Sequence, residues 1–207
     1  MVSAVNKTKL GQRVLDLGGG AAGDRTGAFV QISDNEGMRA TYGTFIGGYA
    51  PPATPTDILT IRGTATKLVR IKGIYLSGTA TAASNIQVNL IRRSAANTGG
   101  TSASAGAVRH DVSDDASAAV TALYSVLPTG LGAAVGTIHG GRLNLAPAAN
   151  GSIDRLWMDF GWRNEKGIVL SGVTDILAIN LGGIAWPVGG MLDIDLCWSE
   201  ETVESVL

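Results

Sequence analysis

The sequence predicts an all-β protein: a jelly-roll-like antiparallel β-sandwich of about eight to ten strands, preceded by an extended Gly-rich N-terminal arm. Short segments of alternating apolar and polar residues are separated by Gly, Pro, Asn and Asp, as in half-buried strands joined by turns. No segment shows the apolar period of a long amphipathic helix. Gly makes up 29 of 207 residues and charged side chains only 16%, whereas helical bundles are rich in Glu, Lys and Arg.

Three segments are expected along the chain. Residues 1–40 contain few consecutive apolar positions and cannot offset an ordering entropy of about 1–2 kcal/mol per residue, so we interpret them as an arm that orders on binding. The sandwich is expected over 41–200. Within this range, the Gly-Gly and Pro-Pro pairs of 47–56 disfavour regular structure, so this segment is interpreted as a linker. An acidic tail is expected to fray from Ser199, with 201–207 outside the domain.

The first strands of the sandwich are predicted at Ile58–Ile61, Lys67–Thr79 and Asn85–Arg93. The last of these alternates cleanly, with Ile86, Val88 and Leu90 inward. In Lys67–Thr79 the apolar positions change parity at Lys72-Gly73. One inserted residue exchanges the two faces of a strand, so this switch predicts a β-bulge at Gly73.

A polar loop is predicted from Ser94 to about Ser117. The next segment, Val120–Val126, is either a helix capped by Ser113 or Asp114, or a strand with Val120, Ala122, Tyr124 and Val126 on one face; we favour the strand because its surroundings are all β. Further strands are predicted at Ala134–Ile138, Arg142–Leu145, Leu156–Phe160, Ile168–Leu170, Ile176–Leu181 and Met191–Trp198.

The best alternation lies in Met191–Trp198, where Leu192, Ile194, Leu196 and Trp198 share one face. The other face carries Asp193, Asp195 and Cys197. Acids at i and i+2 on an outward face are usually solvent-facing, and acids beside a thiol raise its pKa, so Cys197 is expected to be unreactive. In addition, Asp57-Ile58-Leu59 is similar to Asp175-Ile176-Leu177, but one such match does not establish an internal repeat.

Composition argues against several classes of function. The formal net charge of −1 argues against a nucleic-acid-binding protein. No run of about 18 apolar residues would span a membrane, and the first residues lack the apolar region of a signal peptide. One cysteine and two histidines leave little for disulfides, zinc clusters or acid–base chemistry. We therefore expect a non-enzymatic protein without a cofactor or metal.

Gly18, Gly20 and Gly23 match the G-x-G-x-x-G pattern of dinucleotide-binding loops. That loop requires a strand before it and a helix after it. Here Gly27 interrupts the segment where the helix would run, and no βαβ pattern follows. The arm interpretation is therefore favoured over cofactor binding, and the apolar residues of the arm become candidate contact residues for a partner: Leu10, Val14, Leu15, Leu17 and Phe29.

Two other groups of polar residues have simple structural interpretations. His110-Asp111 and Asp114-Asp115 lie close together in the polar loop, but their spacing matches no calcium-binding pattern, so a solvated turn is favoured. His139 follows an apolar run and is expected to be packed or hydrogen-bonded rather than a catalytic base.

All four tryptophans lie in the last third of the chain. Trp198 alternates with Leu196 and is predicted to lie in the core. Trp162 and Trp186 adjoin Gly- and Pro-rich loops, so each either contributes to an interaction surface or plugs one end of the sandwich.

Several motifs, taken in order, resemble a module of tailed-bacteriophage virion proteins. The resemblance covers about residues 40–200 and rests on Tyr42-Gly43-Thr44-Phe45, the stretches 56–71 and 77–83, Leu90-Ile91-Arg92-Arg93-Ser94, Thr98-Gly99-Gly100-Thr101, Val108-Arg109-His110-Asp111 and the stretch 193–201. It implies a non-enzymatic structural component of the virion and identifies no binding residue.

Two functions are compatible with this resemblance. The first is a capsid decoration or cement protein on the virion surface, made in the host cytoplasm, anchored by its arm to the major capsid protein and most simply trimeric. The alternative is a tail-associated or carbohydrate- or receptor-binding module, in which Trp162 and Trp186 contact a glycan. Neither function requires nucleic acid or a membrane.

Overall fold

The computed structural model describes residues 13–15, 30–32, 39–150, 154–161 and 167–203. The chain divides into two compact units, Met1–Arg39 and Ala40–Leu207. In the first unit, strands β1 (Arg13–Leu15) and β2 (Val30–Ile32) pair antiparallel. The extended arm predicted for residues 1–40 lies otherwise outside the described residues, as does its Gly18–Gly23 motif.

The second unit is an all-β sandwich of two antiparallel sheets, which confirms the predicted fold class. Its described part contains twelve strands: β3 (Thr41–Tyr49), β4 (Asp57–Arg62), β5 (Lys67–Thr79), β6 (Ser84–Arg93), β7 (Thr101–Ala103), β8 (Val108–Arg109), β9 (Val120–Val126), β10 (Ala134–Leu145), β11 (Arg155–Asp159), β12 (Ile168–Leu170), β13 (Ile176–Asn180) and β14 (Met191–Thr202). One short 3-10 helix, Ala148–Asn150, precedes β11.

The strand order of the first sheet is β11-β5-β14-β3-β8, with β12 also paired to β5. The order of the second sheet is β10-β6-β13-β4-β9-β7. Most consecutive strands lie in different sheets, so the chain crosses the core repeatedly and each sheet is held by many long-range pairings. Inward-facing side chains of both sheets form one hydrophobic core, and Leu192, Ile194, Leu196 and Trp198 all point into it, as predicted.

The bulge predicted at Gly73 is confirmed. Cys197 of β14 pairs with Gly73, whereas the next residue, Trp198, pairs with Ile71, so Lys72 is the extra residue. The insertion allows Ile71 and Ile74 both to be fully buried although their separation is odd. The remainder of β5 then continues with Leu76 inward and Tyr75 outward.

Three local expectations about the strands are corrected. The segment from Ser94 to Ser117 is not wholly a loop, because β7 and β8 each add a short strand to a sheet edge. Ala134–Ile138 and Arg142–Leu145 form one continuous strand, because Gly140 and Gly141 stay in register with β6. Val120–Val126 is the favoured strand, but Val120 and Val126 are 41% and 55% exposed because β9 lies near the sheet edge, covered only by the short β7.

The segment 47–56 is not a linker between domains. The carbonyl groups of Ala53, Pro55 and Thr56 accept backbone hydrogen bonds from the β13–β14 connection, and Pro51 and Pro55 are buried. The prolines end β3 and shape a packed connection within one unit. The Gly and Pro residues of this segment therefore mark a turn between two strands of the sandwich and not a linker.

The C-terminal strand continues past the expected fraying point at Ser199. Ser199 is completely buried and Glu200 is only 6% exposed. The Glu200 carboxylate accepts hydrogen bonds from the Trp198 indole, the Ser117 hydroxyl and the backbone N–H groups of Ala118 and Ala119. This acidic residue therefore holds the 117–119 segment against β14 instead of extending into solvent.

A buried ion pair joins three strands of the second sheet. Asp57, at the start of β4, has no exposed surface and accepts two hydrogen bonds from the Arg93 guanidinium, at 2.6 and 2.7 Å. Asn97 and Asn180 donate to the same carboxylate at 2.9 and 2.8 Å. Arg93 also donates to the carbonyl of Gly132 at 2.7 Å. Every charged atom of the pair thus has a partner, as a buried ion pair requires.

We predict that Arg93→Met lowers the free energy of unfolding by about 3–5 kcal/mol, because it leaves the Asp57 carboxylate buried beside two amides without its counter-charge. Arg155→Met is the matched control. Arg155 is exposed and its loss should change stability by less than about 0.5 kcal/mol. Urea unfolding followed by circular dichroism measures both, and equal losses in the two variants would contradict the role of the buried pair.

Candidate functional site

The outer face of the first sheet carries a row of aromatic and acidic side chains. In the register of this sheet, Trp157 of β11 lies opposite Tyr75 of β5, Tyr75 lies opposite Asp195 of β14, and Asp195 lies opposite Phe45 of β3. Residues directly opposite each other in antiparallel strands project from the same face. We call these four residues the aromatic row.

A second row lies beside it on the same face. Arg155 lies opposite Ser77, and Ser77 lies opposite Asp193. The backbone N–H of Gly48 donates to the Asp193 carboxylate at 2.8 Å, and the Ser77 hydroxyl donates at 3.4 Å. These bonds fix Asp193, whereas Asp195 is exposed. The face therefore holds one oriented carboxylate and one that is open to solvent.

The aromatic side chains of the row are unusually accessible. Phe45 is 71% exposed and Trp157 is 57% exposed. The rings of Tyr75 and Trp157 have centroids 4.3 Å apart and are tilted by 58°, a spacing typical of interacting aromatic pairs. The Tyr75 hydroxyl donates to the Asp159 carboxylate. Contacts on both sides thus hold the Tyr75 ring in place.

Two glycines make room for the rings. A Cβ atom at Gly47 would lie 3.0 Å from the Phe45 ring, and one at Gly73 would lie 2.7 Å from the Tyr75 ring. Both aromatic side chains therefore lean along the sheet over a neighbouring glycine of their own strand. Gly73 serves two purposes, since it also belongs to the bulge that sets the burial pattern of β5.

The two rows line a cavity of about 480 Å³ on this face, within the size range of small-molecule sites. Its walls are formed by Phe45, Tyr75, Leu76, Ser77, Arg155, Trp157, Asp193 and Asp195. The aromatic rings offer apolar surface, the carboxylates offer hydrogen-bond acceptors, and the hydroxyl and the guanidinium offer hydrogen-bond donors. This combination is suited to binding an amphipathic ligand.

Two titratable groups on this face have raised pKa values. Burial, followed by the hydrogen bond to Asp159, raises the pKa of Tyr75 to about 12. Burial also raises the pKa of the Cys197 thiol, and the charge of Asp195 adds to this effect, which confirms the pKa direction inferred from the sequence. Tyr75 therefore acts as a neutral hydrogen-bond donor at physiological pH, and the thiolate form of Cys197 is disfavoured.

The residues chosen from the sequence lie elsewhere. The indole of Trp186 donates to the Gly190 carbonyl at 3.0 Å and its half-buried ring packs against the core. Val14 and Leu15 belong to β1, whose side chains are not described. Leu10, Leu17, Phe29 and Trp162 lie outside the described residues.

Neither the histidines nor the acidic loop lines this cavity, although the His110 ring lies over Gly43 of β3, with Nε2 3.0 Å from the place of a Cβ there. His139 is exposed on β10, and its ring makes an edge contact with Phe160 at a ring separation of 6.0 Å. Asp111 accepts bonds from the backbone and hydroxyl of Ser113, which lower its pKa. Within the described ranges, no cluster of three or more His, Cys, Asp or Glu residues could hold a metal ion.

The sequence did contain a signal for the aromatic row. Trp157 and Tyr75 occupy outward positions in strands whose inward positions are apolar, and Asp195 was assigned to an outward face. What the alternation could not provide is the order of strands in the sheet, which brings residues of β3, β5, β11 and β14 together although they are distant along the chain.

Comparisons of the chain with protein-family models, curated proteins and solved structures found no match, so no family is assigned. In the part of the chain that the structure describes, no helix is both long and apolar enough to cross a membrane.

We predict that Cys197 reacts slowly with iodoacetamide at pH 8 in the folded protein, and that Asp195→Asn makes the reaction several-fold faster. Removing the negative charge lowers the pKa of the thiol and raises the thiolate fraction at a given pH. Since the chain has a single cysteine, mass spectrometry of the alkylated protein measures the rate directly. The urea-unfolded chain is the control, and equal rates in the wild type and the variant would refute the coupling.

Proposed function

We propose that this chain is a non-enzymatic structural protein of a tailed-bacteriophage virion, and specifically a decoration protein that attaches to the capsid surface. The observation that carries the proposal is the division of the chain between Arg39 and Ala40. Among the described residues, every member of the hydrophobic core belongs to the second unit, which supports a sandwich that folds on its own. The N-terminal unit is then available to bind a partner.

The sequence motifs that resemble phage virion proteins support this proposal from a second direction. They fall on β3, β4, β5, β6, β8 and β14 and on the turn that leads into β7. Of these, β4, β5, β6 and β14 supply much of the sandwich core. The resemblance thus concerns the framework of the sandwich. A framework of this kind, with low net charge, suits close packing against identical copies, and we propose a trimer at a symmetry axis of the capsid.

The buried carboxylates also fit a structural role. Asp57 accepts four hydrogen bonds and Glu200 accepts bonds from four donors, all within the fold. A general acid or base has to reach a substrate with its proton-transferring atom. These two carboxylates are fully engaged in joining strands and loops, so their burial is explained by stability.

A tail-associated or carbohydrate- or receptor-binding module is the second candidate. The aromatic row favours it, because exposed Trp157 and Phe45 together with Asp195 offer the mixture of apolar and polar groups that a binding surface requires. Of the two loop tryptophans, Trp186 is half-buried against the core, and Trp162 lies outside the described residues. The second candidate therefore rests on the sheet face rather than on the loops.

We predict that deleting residues 2–40 leaves a soluble, β-rich protein that no longer decorates particles lacking the native copy. The truncated protein retains every described buried residue of the core and loses only the partly buried Ala40 from its edge, but it also loses the segment that we assign to attachment through backbone pairing with the capsid protein. In an oligomer the loss is amplified, since several arms bind with a raised effective concentration. Co-sedimentation of purified protein with such particles measures occupancy.

Circular dichroism and thermal melting of the truncated protein provide the control for folding. The undecorated particles should also resist heat or osmotic shock less well than decorated ones. Wild-type occupancy by a truncated protein that is folded would show that residues 2–40 are not the anchor, and would favour the second candidate.

A further inference from the structure

We propose that the outer face of the first sheet is a saccharide-binding site, in which the rings of Trp157, Tyr75 and Phe45 contact sugar rings and the carboxylates of Asp193 and Asp195 accept bonds from sugar hydroxyl groups. This inference goes beyond attachment to a capsid, and it uses no residue of the N-terminal unit. It concerns residues that the sequence analysis did not select as a site.

The first step concerns the aromatic surface. A pyranose has an apolar face of C–H groups and a polar edge of hydroxyls, so it is bound by ring faces next to hydrogen-bonding groups. Trp157 and Phe45 are 57% and 71% exposed, although large apolar side chains are usually buried. Tyr75 is fixed by Trp157 and Asp159, which limits the ordering cost of binding.

The second step concerns the hydrogen-bonding groups. Asp193 is already oriented by Gly48 and Ser77, and it lines the same cavity as the aromatic side chains. Asp195 is exposed between Tyr75 and Phe45 in the row. Hydroxyl groups that donate to carboxylates form charge-assisted bonds, which are stronger than neutral ones. Arg155 on the cavity wall supplies donors for the remaining sugar oxygens.

The charge of the cavity limits the class of saccharide. Two carboxylates, Asp193 and Asp195, line it against one guanidinium, that of Arg155. Outside the lining, Asp159 projects from the same face and Lys72 lies near Cys197. Uronic acids and other acidic sugars would bring like charges together at short range, which is unfavourable. We therefore assign the site to neutral saccharides.

The extent of the row distinguishes a saccharide from a small organic cation. From Phe45 to Trp157 the row crosses three strand spacings, or about 14 Å at roughly 4.8 Å each. A cage for a quaternary ammonium group holds its rings within about 6 Å of one centre. An open row of this length, with an acid between two aromatic positions, instead matches a ligand of several linked rings.

A second copy related by a two-fold axis is a poorer occupant of the same face, whereas burial of the face in a trimer contact is an outcome of the test below. A two-fold interface is self-complementary, so it would bring the acidic patch of one copy against the same patch of the other. Asp193, Asp195 and Asp159 would then be removed from water close to like charges, which is costly. A neutral polyhydroxylated ligand carries no such penalty.

The test measures binding of the full-length protein to four tetrasaccharides by calorimetry and tryptophan fluorescence. The neutral probes are cellotetraose, maltotetraose and N-acetylchitotetraose, and the acidic probe is tetragalacturonate. We expect at least one neutral probe to bind and the acidic probe not to bind. Failure of all three neutral probes, or equal binding of tetragalacturonate, would overturn the proposal.

Variants then place the binding on this face. Trp157→Ala and Phe45→Ala should each weaken binding of the neutral probe about tenfold. Asp195→Asn should weaken binding of the neutral probe less, and it should allow tetragalacturonate to bind because a negative charge is removed. Val188→Ala is the control, since Val188 is 85% exposed on a loop and should leave affinity unchanged. Because Phe45 and Trp157 are exposed, the variants should melt within a few degrees of the wild type.

Unchanged affinity in both aromatic variants would overturn the proposal, even if a saccharide binds elsewhere. Oligomeric state is followed by light scattering in each variant. Dissociation of a wild-type oligomer by Trp157→Ala would also overturn it, because the face would then be an interface between copies. Capsid attachment is measured on particles and saccharide binding on isolated protein, so the two proposals can fail separately.

Discussion

The architecture depends on the buried carboxylate of Asp57, because that group has to be neutralised and fully hydrogen-bonded before the second sheet can close. Arg93 of β6 supplies the counter-charge and Asn180 of β13 supplies an amide, so hydrogen bonds to one carboxylate join the three neighbouring strands β4, β13 and β6. Asn97, in the loop after β6, donates a hydrogen bond to the same carboxylate, and its side-chain amide oxygen accepts one from the N–H of Gly132. Such a network is unfavourable if incomplete, and therefore specifies one arrangement of these strands.

A second pair repeats this arrangement. Arg92, the neighbour of Arg93, donates to the carboxylate of Asp175 just before β13. The two similar Asp-Ile-Leu segments in the sequence thus begin adjacent antiparallel strands, and consecutive arginines of β6 bind the two aspartates. The similarity between the two segments, although only a few residues long, thus reflects the same role: each aspartate binds an arginine of β6.

Much of the fold followed from local patterns, whereas the candidate site did not. Strict alternation in β6 and β14, and the parity change at Gly73, predicted burial correctly because each depends on neighbours along one strand. The polar loop and the segment 47–56 were misjudged because short strands and proline-containing connections are stabilised by pairing with distant residues. The aromatic row was missed for the same reason: Trp157, Tyr75, Asp195 and Phe45 become neighbours only through the order of four strands.

We propose two separate functions for this sandwich protein, attachment through the N-terminal unit and ligand binding on the outer face of the first sheet. An electron cryomicroscopy map of the intact virion tests this division most directly. We expect density for the sandwich on the capsid surface, with the N-terminal residues against the shell and Trp157, Tyr75 and Phe45 facing solvent. A map that shows the chain absent from the head, or that shows the aromatic row buried against the shell or a neighbouring copy, would contradict it.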